Sequence, residues 1–263
     1  FFYAVGFSQT GVGKRKTFSI GVQYNHEFVL DGYVRVREWE VEGDKMKLKD
    51  LGMTSYPVLR LTAEKYFKRN NSLSVTYDNY YMRGTAVFTR DIAYNGTIIN
   101  GTKGIDVSPT LYFRVSAIYK GLLLRRPQID LNYTVALVLD YITFYLDGEV
   151  SPVSTSNEVF ERFGRQALPY PVLGLQGKAA MGKHNYLNVE VSGTYIPRFK
   201  SFYTERGHVY LDYSNFQADL SYSRTISAFE LAIGANLRYM HLFQERPEDT
   251  NIIYTLSAGP SIG

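Results

Sequence analysis

From Ile129 to Leu146 the chain alternates along most of its length: Leu131, Tyr133, Val135, Leu137, Leu139 and Tyr141 interleave with Asp130, Asn132, Thr134, Ala136, Val138 and Asp140. Successive side chains of an extended strand point to opposite faces, so one face here is apolar and ends in aromatics. The other carries carboxylates, amides and hydroxyls. The alternation outlasts an average soluble strand of ~5–6 residues. It suits a strand that crosses a membrane with lipid on one side and a wet lumen on the other.

The pattern recurs. Tyr56 to Phe67 sets Leu59, Leu61 and Ala63 against Arg60, Thr62 and Glu64, and Leu73, Val75 and Tyr77 alternate with Ser74, Thr76 and Asp78. Leu111 to Lys120, Leu187 to Tyr195 and Phe229 to Tyr239 repeat it. From Tyr56 onward, short turns near residues 68–71, 125–127 and 183–185 alternate with long polar connections near 83–106, 151–167 and 198–207. That asymmetry is expected when turns collect on one side of a membrane and loops on the other.

Asp31-Gly32 lies between two alternating segments, Thr17 to Leu30 and Tyr33 to Glu42, and suits a tight hairpin because glycine accepts positive φ. With Phe1, Tyr3, Val5 and Phe7 as a further strand, the count is about twelve, an even number as single-chain barrels prefer. The alternative is about ten, with the first residues as a plug or periplasmic segment. In Val209 to Tyr222 the parity changes near Ser214-Asn215, which predicts a bulge. The expected fold is all-β: a transmembrane antiparallel up-and-down β-barrel forming a single domain over residues 1–263, with 1–32 as an additional hairpin or a periplasmic or plug segment.

The run Val34-Arg35-Val36-Arg37-Glu38-Trp39, then Leu48-Lys49-Asp50-Leu51-Gly52-Met53, resembles the opening strand and loop of bacterial outer-membrane β-barrel-domain proteins. Tyr94-Asn95-Gly96-Thr97 and Gly101-Thr102, followed by Asp106 and a tyrosine-rich strand, are similar to the same porin-like family, over roughly residues 33–122. The resemblance implies a barrel in the bacterial outer membrane. It carries no site residues, since most members have no assigned activity.

Composition narrows the function classes. The chain has 23 Tyr and 16 Phe against one Trp, a load that interface belts use, and its mean hydropathy is −0.20. No run of ~20 apolar residues exists to form a spanning helix. Without cysteine, disulfides and thiolate zinc sites are excluded. The net charge of +4 comes from 29 basic and 25 acidic residues that are interspersed, so no nucleic-acid partner is expected. Lys14, Arg15 and Lys16, the densest basic cluster, read as a solvated turn, and Gly11-Val12-Gly13-Lys14 lacks the phosphate-loop spacing. The chain opens at Phe1 without Met, as a processed mature protein would.

A barrel enzyme would need an acid–base pair at one rim. The histidines are His26, His184, His208 and His241. His208 near Glu205 and Asp212, and His241 near Glu245, lack a serine partner at diagnostic spacing. Acidic loops around Asp147, Glu158 and Glu161, and around Glu245, Glu248 and Asp249, do not match a calcium loop. Four Asn-X-Ser/Thr triplets, at Asn70, Asn95, Asn100 and Asn132, read as chance matches. No catalytic, metal or cofactor residue is therefore expected, and no enzymatic activity.

The candidate site residues are the charges that pleat parity sends into the lumen: Arg60, Glu64, Asp78, Arg114, Lys120, Asp140, Lys178, Glu190 and Arg238, with Asp219 beside them. Such charges are tolerable only if the interior is wet or paired. The leading expectation is a narrow passive channel for small solutes. The alternative is a non-conducting scaffold whose long loops bind a partner, and a soluble all-β ligand-binding protein or a barrel enzyme comes third. The expected partners are outer-membrane lipid and, through the long loops, other envelope proteins.

Overall fold

The computed structural model describes residues 7–8, 17–38, 42–67, 71–107, 111–153, 163–200, 210–245 and 249–263. Ten long antiparallel strands form the wall: β1 Phe18–Glu38, β2 Ser55–Tyr66, β3 Ser72–Tyr80, β4 Leu111–Arg126 and β5 Ile129–Phe144, then β6 Phe163–Ala180, β7 Asn185–Lys200, β8 Tyr210–Ile226, β9 Phe229–Glu245 and β10 Asp249–Ile262. Each pairs with its neighbour in sequence, and β1 pairs with both β2 and β10. The sheet is closed and leaves no long edge.

The alternation read from the sequence sorts the residues by face. On β3, Ser72, Ser74, Thr76 and Asp78 are buried while Leu73, Val75 and Tyr77 are exposed. The outer wall carries Leu137 at 60%, Leu173 at 65% and Ile233 at 62% exposure, in a belt far larger than a soluble protein leaves bare. Polar inside and apolar outside is the inverse of a water-soluble core. The protein is thus a membrane-spanning β-barrel, the architecture of bacterial outer-membrane proteins.

Tyr119, Tyr141, Tyr195 and Tyr239 all lie on the outward rows. On the loop side, Tyr77, Phe113 and Tyr141 stand with ring centroids 5.9 and 5.2 Å apart, and Tyr239, Tyr254 and Tyr33 follow at 5.7 and 5.6 Å. Tyr119 and Tyr133, 6.1 Å apart, belong to the turn side. These rows suit the two membrane interfaces, where a ring is buried and its hydroxyl stays wet.

The wall has ten strands, the alternative count, and not twelve. Asp31-Gly32 is no hairpin but a point inside the 21-residue β1. There Leu30 and Asp31 both face outward, and the register to β10 shifts between Leu256 and Ser257. This is a β-bulge, and it switches the inward row from Asn25, Glu27 and Val29 to Gly32, Val34 and Val36. Gly32 is required for space: a Cβ there would sit 2.6 Å from Leu48 Cδ1 and 2.9 Å from the Tyr254 carbonyl oxygen. Residues 18–32 are wall and not plug. Among the described residues Phe7–Ser8 adds to them, pairing with Ile20 and Ser19, while Phe1, Tyr3 and Val5 of the expected first strand lie outside the described residues.

The bulge expected near Ser214-Asn215 is absent. Pairing of β8 with β9 runs unshifted from Tyr210 to Ile226, and Leu211, Tyr213, Asn215 and Gln217 are all buried on one inward row. What changes along that row is chemistry, from apolar near the loops to polar near the turns. The same change occurs around the whole barrel. Near the loops the interior is filled by Met46, Leu48, Leu51, Met53, Ile92, Ile99, Ile105 and Leu146, none more than 4% exposed. These come from the connections after β1, β3 and β5, which fold into the mouth as a crown of small sheets at 84–86, 105–107 and 146–148 and a hairpin at 92–94 and 97–99.

Candidate functional site

Beneath the crown a charged layer crosses the barrel. Arg60, Asp78, Arg114 and Asp140 are register partners on β2, β3, β4 and β5, so opposite charges alternate around four adjacent strands. Arg60 donates to both Asp78 oxygens at 2.7 and 3.0 Å, and Arg114 to both Asp140 oxygens at 2.7 and 2.9 Å. Arg238 on β9 lies 2.9 Å from Glu27 and 3.7 Å from Asp78, and donates to the Tyr80 hydroxyl at 2.6 Å. Three guanidiniums thus face three carboxylates. Paired, hydrogen-bonded charges of this kind are the form in which burial is tolerable.

Tyrosines fill the space between them. Tyr213 donates to Asp140 Oδ2 at 2.6 Å, Tyr170 donates to the same oxygen, and the two hydroxyls are 3.0 Å apart. Tyr80 and Tyr112 stack with centroids 3.9 Å apart. Tyr56 donates to Ser257, which donates to Glu27, at 3.0 and 3.1 Å. A cavity of about 10 Å³ lies against Tyr56, Tyr80, Tyr112, Arg114 and Arg238, the room of a single water at most. Glu27, Asp78, Arg114, Asp140 and Arg238 are each no more than 7% exposed, so the layer is tightly packed.

On the turn side of the layer the interior opens into a cavity of about 570 Å³. That is within the range of small-molecule pockets. Its wall holds Glu64, Lys120, Lys178, Glu190 and Asp219, with Arg60 at its inner end. Lys120 pairs with Glu64 at 3.3 Å, Lys178 with Glu230 at 3.2 Å, and Arg125 with Asp130 at 2.9 Å. Glu64 also accepts from Tyr66 and Ser72 at 2.6 and 2.5 Å. Glu190 accepts from Gln176 at 3.2 Å and Asp219 from Gln217 at 2.5 Å.

The ten charged residues singled out by parity therefore divide into two groups. Asp78, Arg114, Asp140 and Arg238 form the closed layer with Arg60 as its lower member, while Glu64, Lys120, Lys178, Glu190 and Asp219 line the cavity. Sequence reasoning missed Glu27, because the bulge reverses the parity of β1. It also missed the tyrosines of the layer. Tyr80 and Tyr112 sit two residues from Asp78 and Arg114 on the same inward rows, which was the signal available.

Among the described residues no other constellation forms. His26 and His241 lie on the outer wall and His184 in an exposed turn, while His208, Glu158, Glu161, Glu248 and the 11–16 segment fall outside the described residues. Among the described residues no group of three or more histidine and acidic side chains could hold a metal ion. The asparagine triplets in the crown are structural. Asn95-Gly96 turns the 92–99 hairpin with φ of 48° and 75°, and Asn100 accepts from the Thr102 amide at 3.2 Å to cap a short 3-10 turn. Asp44 tethers the crown, accepting from Arg90 at 2.8 and 3.0 Å and from the Ala93 amide at 2.7 Å. Burial raises the Asp44 pKa, but Arg90 and the amide outweigh it and hold the carboxyl below its ordinary 3.8.

No family model and no curated protein matches the chain. Among solved structures it is similar to the outer membrane protease OmpT from Escherichia coli, with 10% identity and a TM-score of 0.49, over 91% of this chain and 95% of that one. At that distance the likeness carries no activity and no residue across.

Proposed function

We propose that the protein is an outer-membrane barrel that does not conduct, and that it serves as a rigid scaffold presenting its folded crown to a partner in the envelope or outside it. The carrying observation is the Arg–carboxylate–tyrosine layer, whose Glu27, Asp78, Arg114, Asp140 and Arg238 are no more than 7% exposed, together with the apolar packing of the crown above it. An open channel would keep its central charges wet and unpaired, as pore linings do. The crown carries Val87 at 75%, Val153 at 69% and Tyr81 at 47% exposure, apolar surface suited to a protein contact. The reading assigns no enzymatic activity to the barrel.

Planar-bilayer recording of the purified protein tests this. The expected outcome is no unitary conductance, with Lys178→Gln behaving as the parent. Regular open-channel steps whose ion selectivity shifts with Lys178→Gln would restore the passive channel.

A further inference from the structure

The turn-side cavity is more than the lower half of a sealed barrel, because its charges do not cancel. Each of its other three acidic side chains has a cation: Glu64 has Lys120, Asp130 has Arg125 and Glu230 has Lys178. Arg60 is engaged by Asp78 through two hydrogen bonds. Glu190 and Asp219 form no ion pair among the described residues, yet they are register partners on β7 and β8 and share one stretch of wall. Two carboxylates side by side on the same face repel each other, and although Arg60 and Lys120 act on them from a distance, a cation seated between them would relieve that repulsion directly.

The hydrogen-bond inventory points the same way. Among the described residues Asp219 Oδ1 is buried and accepts no hydrogen bond, and neither does the buried amide oxygen of Asn236, its register partner on β9. Asn236 is only 4% exposed. What is lacking here is donors. A metal ion would find too few carboxylates, since no cluster of three or more metal-ligating side chains exists among the described residues. An ammonium group supplies a positive charge and three donors at once.

We infer that the cavity is a binding site for a small organic cation bearing an ammonium group, with Glu190 and Asp219 as its counter-ions. The cavity of about 570 Å³ accommodates a linear amine of a few carbons, and amides such as Gln176 and Asn188 are placed to bind its remaining polar atoms. The site rests on the closed layer only as its inner wall.

Titration calorimetry of the detergent-solubilised protein with 1,4-diaminobutane tests the site, with sodium glutamate and calcium chloride as comparison ligands. Saturable binding of the diamine is expected, weakened roughly tenfold or more in Glu190→Gln/Asp219→Asn. Glu64→Gln, which removes a carboxylate already paired with lysine, should weaken it less. Should the double variant misfold, chemical-shift changes at Gln176 and Gln217 side-chain amides of the parent protein give a second readout. No diamine binding, equal binding in the double variant, or a preference for glutamate or calcium would each overturn the inference. A conductance record on the same preparation reports the scaffold reading separately, so the two can fail independently.

Discussion

Asp140 shows how much one side chain carries in this interior. It takes two hydrogen bonds from Arg114 and one from each of two tyrosine hydroxyls, at 3% exposure. Asp140→Asn would leave the Arg114 guanidinium buried without its counter-charge. Breaking a buried pair from one side costs about 3–5 kcal/mol, whereas exchanging both partners for apolar residues is often near neutral. Urea unfolding in micelles, followed by circular dichroism, should therefore show Asp140→Asn less stable than Arg114→Met/Asp140→Leu. The reverse order would mean that the pair is not the unit of stability here. Gly32→Ala tests packing at the bulge, where the added Cβ must displace Leu48 Cδ1 from 2.6 Å. Overpacking of this kind costs about 1–3 kcal/mol.

Two of the four Asx-Gly pairs explain what was legible at the scale of elements and what was not. Asn95-Gly96 is the tight turn its residues suggest, with both φ positive. Asp31-Gly32 carries the same local signal but sits mid-strand, because its glycine answers to Leu48 from a loop sixteen positions away in sequence. Local turn chemistry cannot distinguish the two cases, and this single ambiguity moved the strand count from ten to twelve. The faces of the strands were legible, since period two is fixed by the backbone and lipid selects one face. Depth along the barrel was not. The exchange of Leu211 and Tyr213 for Asn215 and Gln217 on one row reads in the sequence as a slip of register. The strands are 9–21 residues long, and about 9–11 suffice to cross the bilayer. The excess lifts the crown clear of the lipid.

That geometry yields two predictions for separate elements. Leu137→Arg on the lipid face of β5 should cost ~2–4 kcal/mol and impair assembly, whereas Asn132→Arg, facing the cavity from the same strand, should be mild. Equal defects, measured as folded protein recovered from membranes, would contradict the assignment of faces. In the crown, a carboxyl held below its ordinary pKa stabilises the fold fully above the unfolded value of 3.8, and that stabilisation is lost as pH falls through the folded value. Amide exchange around Ala93 should therefore accelerate on acidification below about pH 4, and Asp44→Asn should remove most of that dependence. Because Arg90 is 63% exposed, solvent screening keeps the effect local to the crown.

At the scale of the molecule the barrel is two compartments in one wall, apolar and filled toward the loops, polar and open toward the turns. The charged layer between them is an asymmetry that solvent access can read. Because the chain has no cysteine, an introduced one is the sole thiol. Ser221→Cys lines the cavity, while Ser116→Cys lies in the packed interior at 4% exposure. Impermeant maleimide added from the turn side of proteoliposomes should label the first and not the second, and added from the loop side it should label neither. Labelling at Ser116→Cys from the turn side would show that the packing between the cavity and the layer opens, and labelling of Ser221→Cys from the loop side would show a continuous water path. The second outcome would replace the scaffold by a gated pore, with the Arg114–Asp140 pair as the element that has to part.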